Sequence, residues 1–548
     1  GSGIGLRYYE LNGFFQDQWH IHRNLTLNVG LRYEYNTPPR EVNNIIERTF
    51  NDPVLNNPNV SDVNQFLSGR REIFEPDRNN FAPRVGLAWS PDWFGQDRTT
   101  VIRAGYGVFS DQILGAVVSQ SRNVFPNFIT VNTGGFNGVN NAGLNVFDYF
   151  NPARGGICFA RVAGICTDFR PLVQPGTLNH LNSNLTPANV LNVFASGLQF
   201  PNAISITLPE RSIKTPSAEQ FSVTFEQQLS ANMVMSAGYV GTRGHNLLRA
   251  STPNLGPNNV LVAIDAGALA YNTFTPIVLG LAFAPGSTTT ANFDRPFPNI
   301  GPVYIYKSSA GSSYDALQLQ LRGRYNFLGA THFQVNYTYG KATDDASDVF
   351  DLAGSSALPQ NSLTLAGELG PANFDVRHRL SVSYVYDLPF GKGRRFANDG
   401  DAWSTILSGW QTAGIVTVQS GRPFTVALIR EFDNSGTGIS ALGFGANDRP
   451  NVIGDPNAGN RTPERWFNTA AFAFPPPGTF GNAGRNTVNG PGFQSVNASL
   501  IKNTSLSERI NLQLRAEAFN LFNHPNFDLP DNFMGSPTFG QITSARDP

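Results

Sequence analysis

The sequence is short of charge, of cysteine and of long apolar runs. Charged residues are 14% of the 548, against roughly 25% in ordinary soluble domains, and 39 basic against 40 acidic side chains leave a net charge of −1. That balance gives no footprint for nucleic acid or for an anionic lipid surface. The two cysteines, Cys158 and Cys166, have no nearby histidine pair and supply too few ligands for tetrahedral zinc. No apolar run approaches the roughly 18 residues that a membrane-crossing helix needs; the longest, residues 260–271, is interrupted by Asp265. The mean hydropathy of −0.21 does not exclude a β-barrel, whose alternating apolar and polar residues average to a polar mean.

Catalytic signatures are missing as well. There is no nucleophile elbow, Walker loop or zinc-protease helix, and Gly1-Ser2-Gly3-Ile4-Gly5 fails the spacing of a dinucleotide fingerprint. The seven histidines do not cluster, and His20-Ile21-His22 reads as a surface turn. Neither an enzyme nor a cofactor is expected. No secretion leader opens the chain, so its natural N-terminus is expected elsewhere.

What the sequence has in abundance is glycine, proline and aromatics, with 54 Gly, 37 Pro and 12% Phe, Trp and Tyr. Period-two alternation is clearest over residues 24–36, where Leu25, Leu27, Val29, Leu31, Tyr33 and Tyr35 alternate with polar neighbours. It recurs over 317–327 and 333–339, and in further runs at 9–15, 83–89, 102–108, 221–229, 233–239, 380–386 and 510–518, with weaker signals at 409–419 and 496–500. About twelve strands result, many for one open sheet.

The connections carry the more specific signal. Short links at 20–24, 91–98, 230–231, 328–330 and 504–507, and a longer one at 389–404, alternate with long ones at 37–80, 111–216, 244–312, 342–376 and 421–492. Structureless loops beyond about 15 residues are uncommon in compact soluble domains, whereas outer-membrane barrels combine tight periplasmic turns with long extracellular loops. Aromatics fall at both strand ends: Tyr33, Tyr35, Tyr239, Tyr337 and Tyr339 toward the long loops, and Trp89, Tyr325, Tyr384 and Tyr386 toward the short turns. Two interfacial girdles are expected.

An Arg or Lys on the lipid face near the midplane costs roughly 2 to 4 kcal/mol. Arg32, Glu34, Arg322, Arg324, Arg379, Arg515 and Glu517 are therefore expected to face the lumen, which in so large a barrel must hold water, a plug or a cargo. Cys158 and Cys166, in the longest loop, fit a local disulfide formed in the oxidising periplasm. Asp344, Asp345, Asp348 and Asp351 offer hard oxygen ligands for calcium, although such a run is more often a solvated loop tip. The Asn-, Thr-, Ser- and Gly-rich loops suit ligand binding and plain solvation alike.

Several segments then take on a family character. They are Arg377-His378-Arg379-Leu380 running to Asp387-Leu388-Pro389-Phe390-Gly391-Lys392-Gly393, Gly409-Trp410-Gln411 running to Gln419-Ser420-Gly421-Arg422-Pro423-Phe424, and Asn336-Tyr337-Thr338-Tyr339-Gly340-Lys341 with Asp344-Asp345. Phe480-Gly481-Asn482-Ala483-Gly484-Arg485-Asn486 before Gly490-Pro491-Gly492, and Arg515 through Pro525, complete the set. In this order, with Phe15-Gln16-Asp17-Gln18-Trp19 ahead of them, the chain resembles the barrel of Oar-like TonB-dependent receptors, the acidobacterial type with a carboxypeptidase-regulatory-like domain at the N-terminus.

The resemblance implies a barrel of about 22 strands, a plug inside it and a segment that contacts TonB. Residues 1–548 would then be one barrel fragment, lacking signal peptide, plug, about nine upstream strands and the closing strand. At Asn497 the resemblance leads one to expect an acidic residue. The expected fold is all-β, a partial antiparallel up-and-down transmembrane β-barrel with long extracellular loops. The expected function is outer-membrane, TonB-dependent uptake of a bulky nutrient in a Gram-negative bacterium, with membrane lipid, TonB and an extracellular ligand as partners. A non-transporting surface or adhesion barrel and a soluble β-rich carbohydrate-binding or hydrolytic protein are the competing classes; the second predicts paired carboxylates in a cleft, and none is located.

Overall fold

The computed structural model describes residues 5–56, 61–95, 98–113, 115–120, 157–162, 165–170, 206–254, 296–297, 303–327, 329–348, 358–398, 402–429, 434–435, 448–476, 479–507 and 509–546. Twelve strands form one antiparallel meander: β1 (Glu10–His22), β2 (Leu25–Asn36), β3 (Phe81–Trp89), β4 (Thr100–Ser110), β5 (Ser217–Ser230), β6 (Met233–Ser251), β7 (Val303–Phe327), β8 (Gly329–Asp344), β9 (His378–Asp387), β10 (Trp410–Gln419), β11 (Phe493–Ser507) and β12 (Ile510–Ala518). Each pairs with its sequence neighbours, so the short links lie at one end and the long connections at the other. The sheet is open, with β1 and β12 at its edges. Among the described residues no helix is long and apolar enough to cross a membrane.

Alternation becomes two chemically distinct faces because directly opposed residues point the same way. Arg32 opposes Ala82, Arg84 opposes Gly107, Gly107 opposes Gln220, Gln220 opposes Thr242 and Thr242 opposes Tyr314. Arg322 opposes Gln334, Gln334 opposes Ser383, Ser383 opposes Ile415, and Asn497 lies beyond it. Ser499 then opposes Glu517. Stepping by twos along each strand, Arg32, Glu34, Arg322, Arg324, Arg379, Arg515 and Glu517 all fall on this one face of the sheet. The opposite face carries Leu31, Val85, Tyr106, Val223, Met235, Tyr239, Leu317, Leu319, Tyr339, Leu500 and Leu514, and these side chains are 39–59% exposed. A soluble sandwich would bury them between two sheets; here the apolar face looks outward.

The few polar groups on that apolar face sit mainly toward strand ends and are engaged. Arg243 donates to Asp315 at 2.8 Å, and Tyr239 Oη donates to the same carboxylate. Lys502 Nζ donates to Thr405 O at 3.2 Å, beside the short helix Ala402–Leu407, where Trp403 is 69% exposed. An apolar helix and an amphipathic lysine at the turn end suit a membrane–water interface.

Three differences from the sequence expectation stand out. Strands β6 and β7 continue about ten residues past the regular alternation, into stretches expected to be loop. Register shifts at Gly244/Leu247/Leu248 break the period, so the outer half of this pair is invisible to a pattern search. There Leu248, Ala250, Ile305 and Tyr306 pack with Ile46, Leu67, Ile73, Ile206, Leu208 and Leu358 in a buried cluster. A second cluster joins Phe424, Val426, Phe467, Phe472 and Val488 within 421–492. The described parts of the long connections thus fold into packed caps rather than solvated tips, because enough apolar side chains are spread through them to form cores. His20 and His22 also end strand β1 rather than occupying a turn.

Candidate functional site

Parts of the segments that drew the family resemblance, Asp344-Asp345, residues 420–424 and residues 480–492, meet at the long-connection end. Residues 345–377, after β8, meet residues 420–492, after β10, along a seam built from buried arginines. Arg485 Nε donates to Glu368 O at 2.8 Å, its Nη1 donates to Ser347 Oγ at 2.8 Å, and its Nη2 donates to Asp344. Arg449 Nη2 donates to Glu368 Oε2 at 2.6 Å, and its backbone N–H donates to Gln360 Oε1 at 2.9 Å. All four ionised side chains, Arg485, Asp344, Arg449 and Glu368, are under 5% exposed. A buried pair resists loss of one partner far more than it adds net stability, so the seam fixes how the two connections dock.

The Asp run therefore has a structural job. Asp344 receives Arg485, while Asp345 receives Arg249 at 2.7 Å and accepts the Gly311 amide at 2.9 Å. Among the described residues no group of three or more His, Cys, Asp or Glu could hold a metal; Asp351 lies outside them. Cys158 and Cys166 belong to the backbone-paired strands Ile157–Val162 and Ile165–Arg170, Cys158 opposite Phe169 and Cys166 opposite Arg161. Their side chains lie outside the described ones.

The two connections also leave a cleft of about 400 Å³, lined by Asp375 and Arg377 from the first and by Ser420, Gly421, Arg461 and Asn489 from the second. Asp375 is buried; its Oδ1 accepts the Ala342 amide at 2.7 Å and its Oδ2 accepts Arg377 Nη2 at 3.3 Å. Arg461 donates to Asn489 O at 3.4 Å and Asn457 Oδ1 at 3.3 Å, and its guanidinium lies 5.7 Å from the Trp466 ring centroid. Gly421 has to be glycine, since a Cβ there would lie 1.8 Å from Gly490 O. The Gln419-Ser420-Gly421 and Gly490-Pro491-Gly492 motifs are thus two backbones pressed together at the cleft wall.

In the second cap, Asp448 is fully buried; its Oδ2 accepts the Ser435 amide at 2.7 Å and its Oδ1 has no donor among the described residues. Burial pushes this carboxyl up to about 6. In the first cap Arg70 donates to Phe66 O, Ile73 O and Pro209 O, and burial lowers it to about 10.

Sequence reasoning singled out the seven charged residues of the polar face and missed Arg485, Arg449, Glu368 and Arg461. A buried arginine looks like any surface arginine in sequence; the one available signal was the glycine- and asparagine-rich setting of Arg485.

An antiparallel up-and-down sheet with an exposed apolar face, a polar reverse face and ordered caps at one end defines an outer-membrane β-barrel architecture. The family described as outer membrane beta barrel domain matches residues 2–548, and the chain belongs to it. It is a family of outer-membrane proteins, not of enzymes, and its compartment is the bacterial outer membrane. No curated protein matches the chain by sequence. Among solved structures it is similar to the outer membrane transporter YddB from Escherichia coli, at 12% identity and a TM-score of 0.41 over 95% of this chain and 42% of that one. It is also similar to the ferripyoverdine receptor of the Pseudomonas aeruginosa outer membrane, at 8% identity and 0.39 over 99% and 38%. A third is the ferric-catecholate import receptor Fiu from E. coli K12, at 10% identity and 0.36 over 96% and 42%. The chain spans about two fifths of the length of these structures.

Proposed function

We propose that the chain is the larger part of the barrel of a TonB-dependent outer-membrane receptor of the Oar-like type, which captures a bulky nutrient at its outer rim and passes it inward. The observation that carries this reading is the continuity of the polar face across all twelve strands, from the rim cleft between the two docked connections to the short-turn end. Arg32, Glu34, Arg322, Arg324, Arg379, Arg515 and Glu517 line the bore in this reading, and the apolar face meets lipid. Coupling to TonB belongs to a part of the protein beyond this barrel segment.

The test is growth and uptake in a deletion strain. Loss of uptake of one nutrient class, restored by the whole gene but not by the gene in a strain lacking TonB, is expected. Unchanged uptake of every nutrient tried, or recovery of the protein without detergent, would sink the proposal.

A further inference from the structure

We propose that the rim cleft and the polar face beneath it take an anionic ligand, a small molecule bearing carboxylate or phosphate groups. This rests on the receptor reading and names its substrate class.

The polar face is not uniformly charged. Outside β7 to β10 three of its arginines have carboxylates beside them, Arg32 pairing with Glu34, Arg103 with Glu226 and Arg515 with Glu517, while Arg84 lies over the Phe109 ring. On β7 and β9, Arg322, Arg324 and Arg379 have no ion-pair partner among the described residues. The polar face of β7 to β10 carries amides and hydroxyls such as Gln320, Asn336, Thr338 and Ser381, and it has no carboxylate between Asp344 at the outer end and Asp387 at the turn end. Both of those are engaged, Asp344 by Arg485 and Asp387 by Arg394 at 3.2 Å and Gln411 Nε2 at 2.6 Å.

The cleft continues this sector outward. Arg377 stands two residues before Arg379, and Arg461 lines the same cleft. The lone carboxylate there, Asp375, is buried; its Oδ1 holds the Ala342 amide and its Oδ2 takes one nitrogen of Arg377 at 3.3 Å, and Arg377 itself stays about one-third exposed. A guanidinium has five N–H donors in a planar fork that matches carboxylate and phosphate oxygens. Two of the Arg461 nitrogens make hydrogen bonds, both longer than 3.2 Å, and the guanidinium lies over Trp466, so its fork keeps donors for a ligand. A cationic ligand would be repelled along this route, and a neutral one would leave the arginines unmatched.

The test titrates citrate, pyrophosphate and the neutral sugar maltotriose into the full-length protein purified in detergent, by calorimetry at low and moderate salt. One or both anions should bind, more weakly as salt rises, and maltotriose should not. The double variant Arg377→Gln/Arg461→Gln should lose at least about tenfold in affinity, while Arg23→Gln and Arg98→Gln, at the short-turn end, should bind like the parent. Arg379→Gln, exposed on its strand, repeats the measurement if the double variant loses its folded, heat-modifiable migration.

Failure of both anions to bind would assign these arginines to carboxylates elsewhere in the protein and overturn the inference, as would equal binding of maltotriose or an unaffected Arg-to-Gln variant. Because binding is read on purified protein, an anion that binds without being taken up counts against the transport reading alone.

Discussion

Replacing Arg485 with Met keeps most of the side-chain volume but removes the guanidinium that ties Glu368 O, Ser347 Oγ and Asp344 together. Asp344 is 2% exposed, so its carboxylate would stay buried without a cation. Breaking a buried pair from one side costs roughly 3 to 5 kcal/mol. At about 1.4 kcal/mol per tenfold, that is a rise of about a hundredfold to a few thousandfold in the open population of the seam. Hydrogen exchange of the full-length protein in detergent reads it out at the Ala372 amide, which donates to Ala342 O, and at the Asn486 amide, which donates to Thr425 Oγ1. Both should exchange faster by a factor of that order, while amides in the paired middle of β7 and β8 stay protected. Adding Asp344→Asn should recover part of the loss, because it removes the orphaned charge. Unchanged exchange in Arg485→Met, or a double variant no better than the single, would refute the seam as a docking device.

Asp448 gives a pH dependence of definite sign. Its folded value of about 6 lies above its ordinary 3.8, so the cap has its full stability below about 3.8, loses it as pH rises toward 6, and lacks it above; the difference is at most roughly 3 kcal/mol. Exchange at the Leu428 amide, which donates to Asp448 O, corrected for its intrinsic pH dependence, should show opening favoured at pH 7.5 over pH 4.5, and Asp448→Asn should flatten that slope. An equally steep slope in the variant would contradict the assignment. On strand β7, Leu319→Arg should reduce the folded, heat-modifiable barrel in outer membranes by roughly 2 to 4 kcal/mol of assembly energy, whereas Gln320→Arg should be tolerated. Equal behaviour of the two would mean that the faces are misassigned.

The strands were legible because alternation, cost and register agree. Leu25 through Tyr35 and Leu317 through Tyr325 each present one greasy edge, and the pairing carries that edge unbroken across the sheet. The caps were not legible, because their cores gather Ile46, Leu208, Leu248 and Leu358 from four separate connections and strand tops with no periodic spacing. The seam was half visible. Arg485 and Gly421 stood inside recognisable segments, but Asp344 and Arg485 are 141 residues apart, and sequence spacing says nothing about such a partner. For the same reason the Asp344-Asp345 pair resembled a cation site, when what it receives is Arg485 and Arg249.

The most direct measurement is a nitroxide scan of β7 in lipid, placing cysteine-attached labels one at a time at Leu317, Gln318, Leu319, Gln320 and Leu321 of the whole protein. Collision with oxygen, which concentrates in the bilayer, should peak at 317, 319 and 321, and collision with a water-soluble nickel chelate should peak at 318 and 320. A profile without that two-residue beat, or with the leucine positions shielded from both reagents as in the core of a soluble sandwich, would contradict the assignment of one face to lipid and the other to the bore.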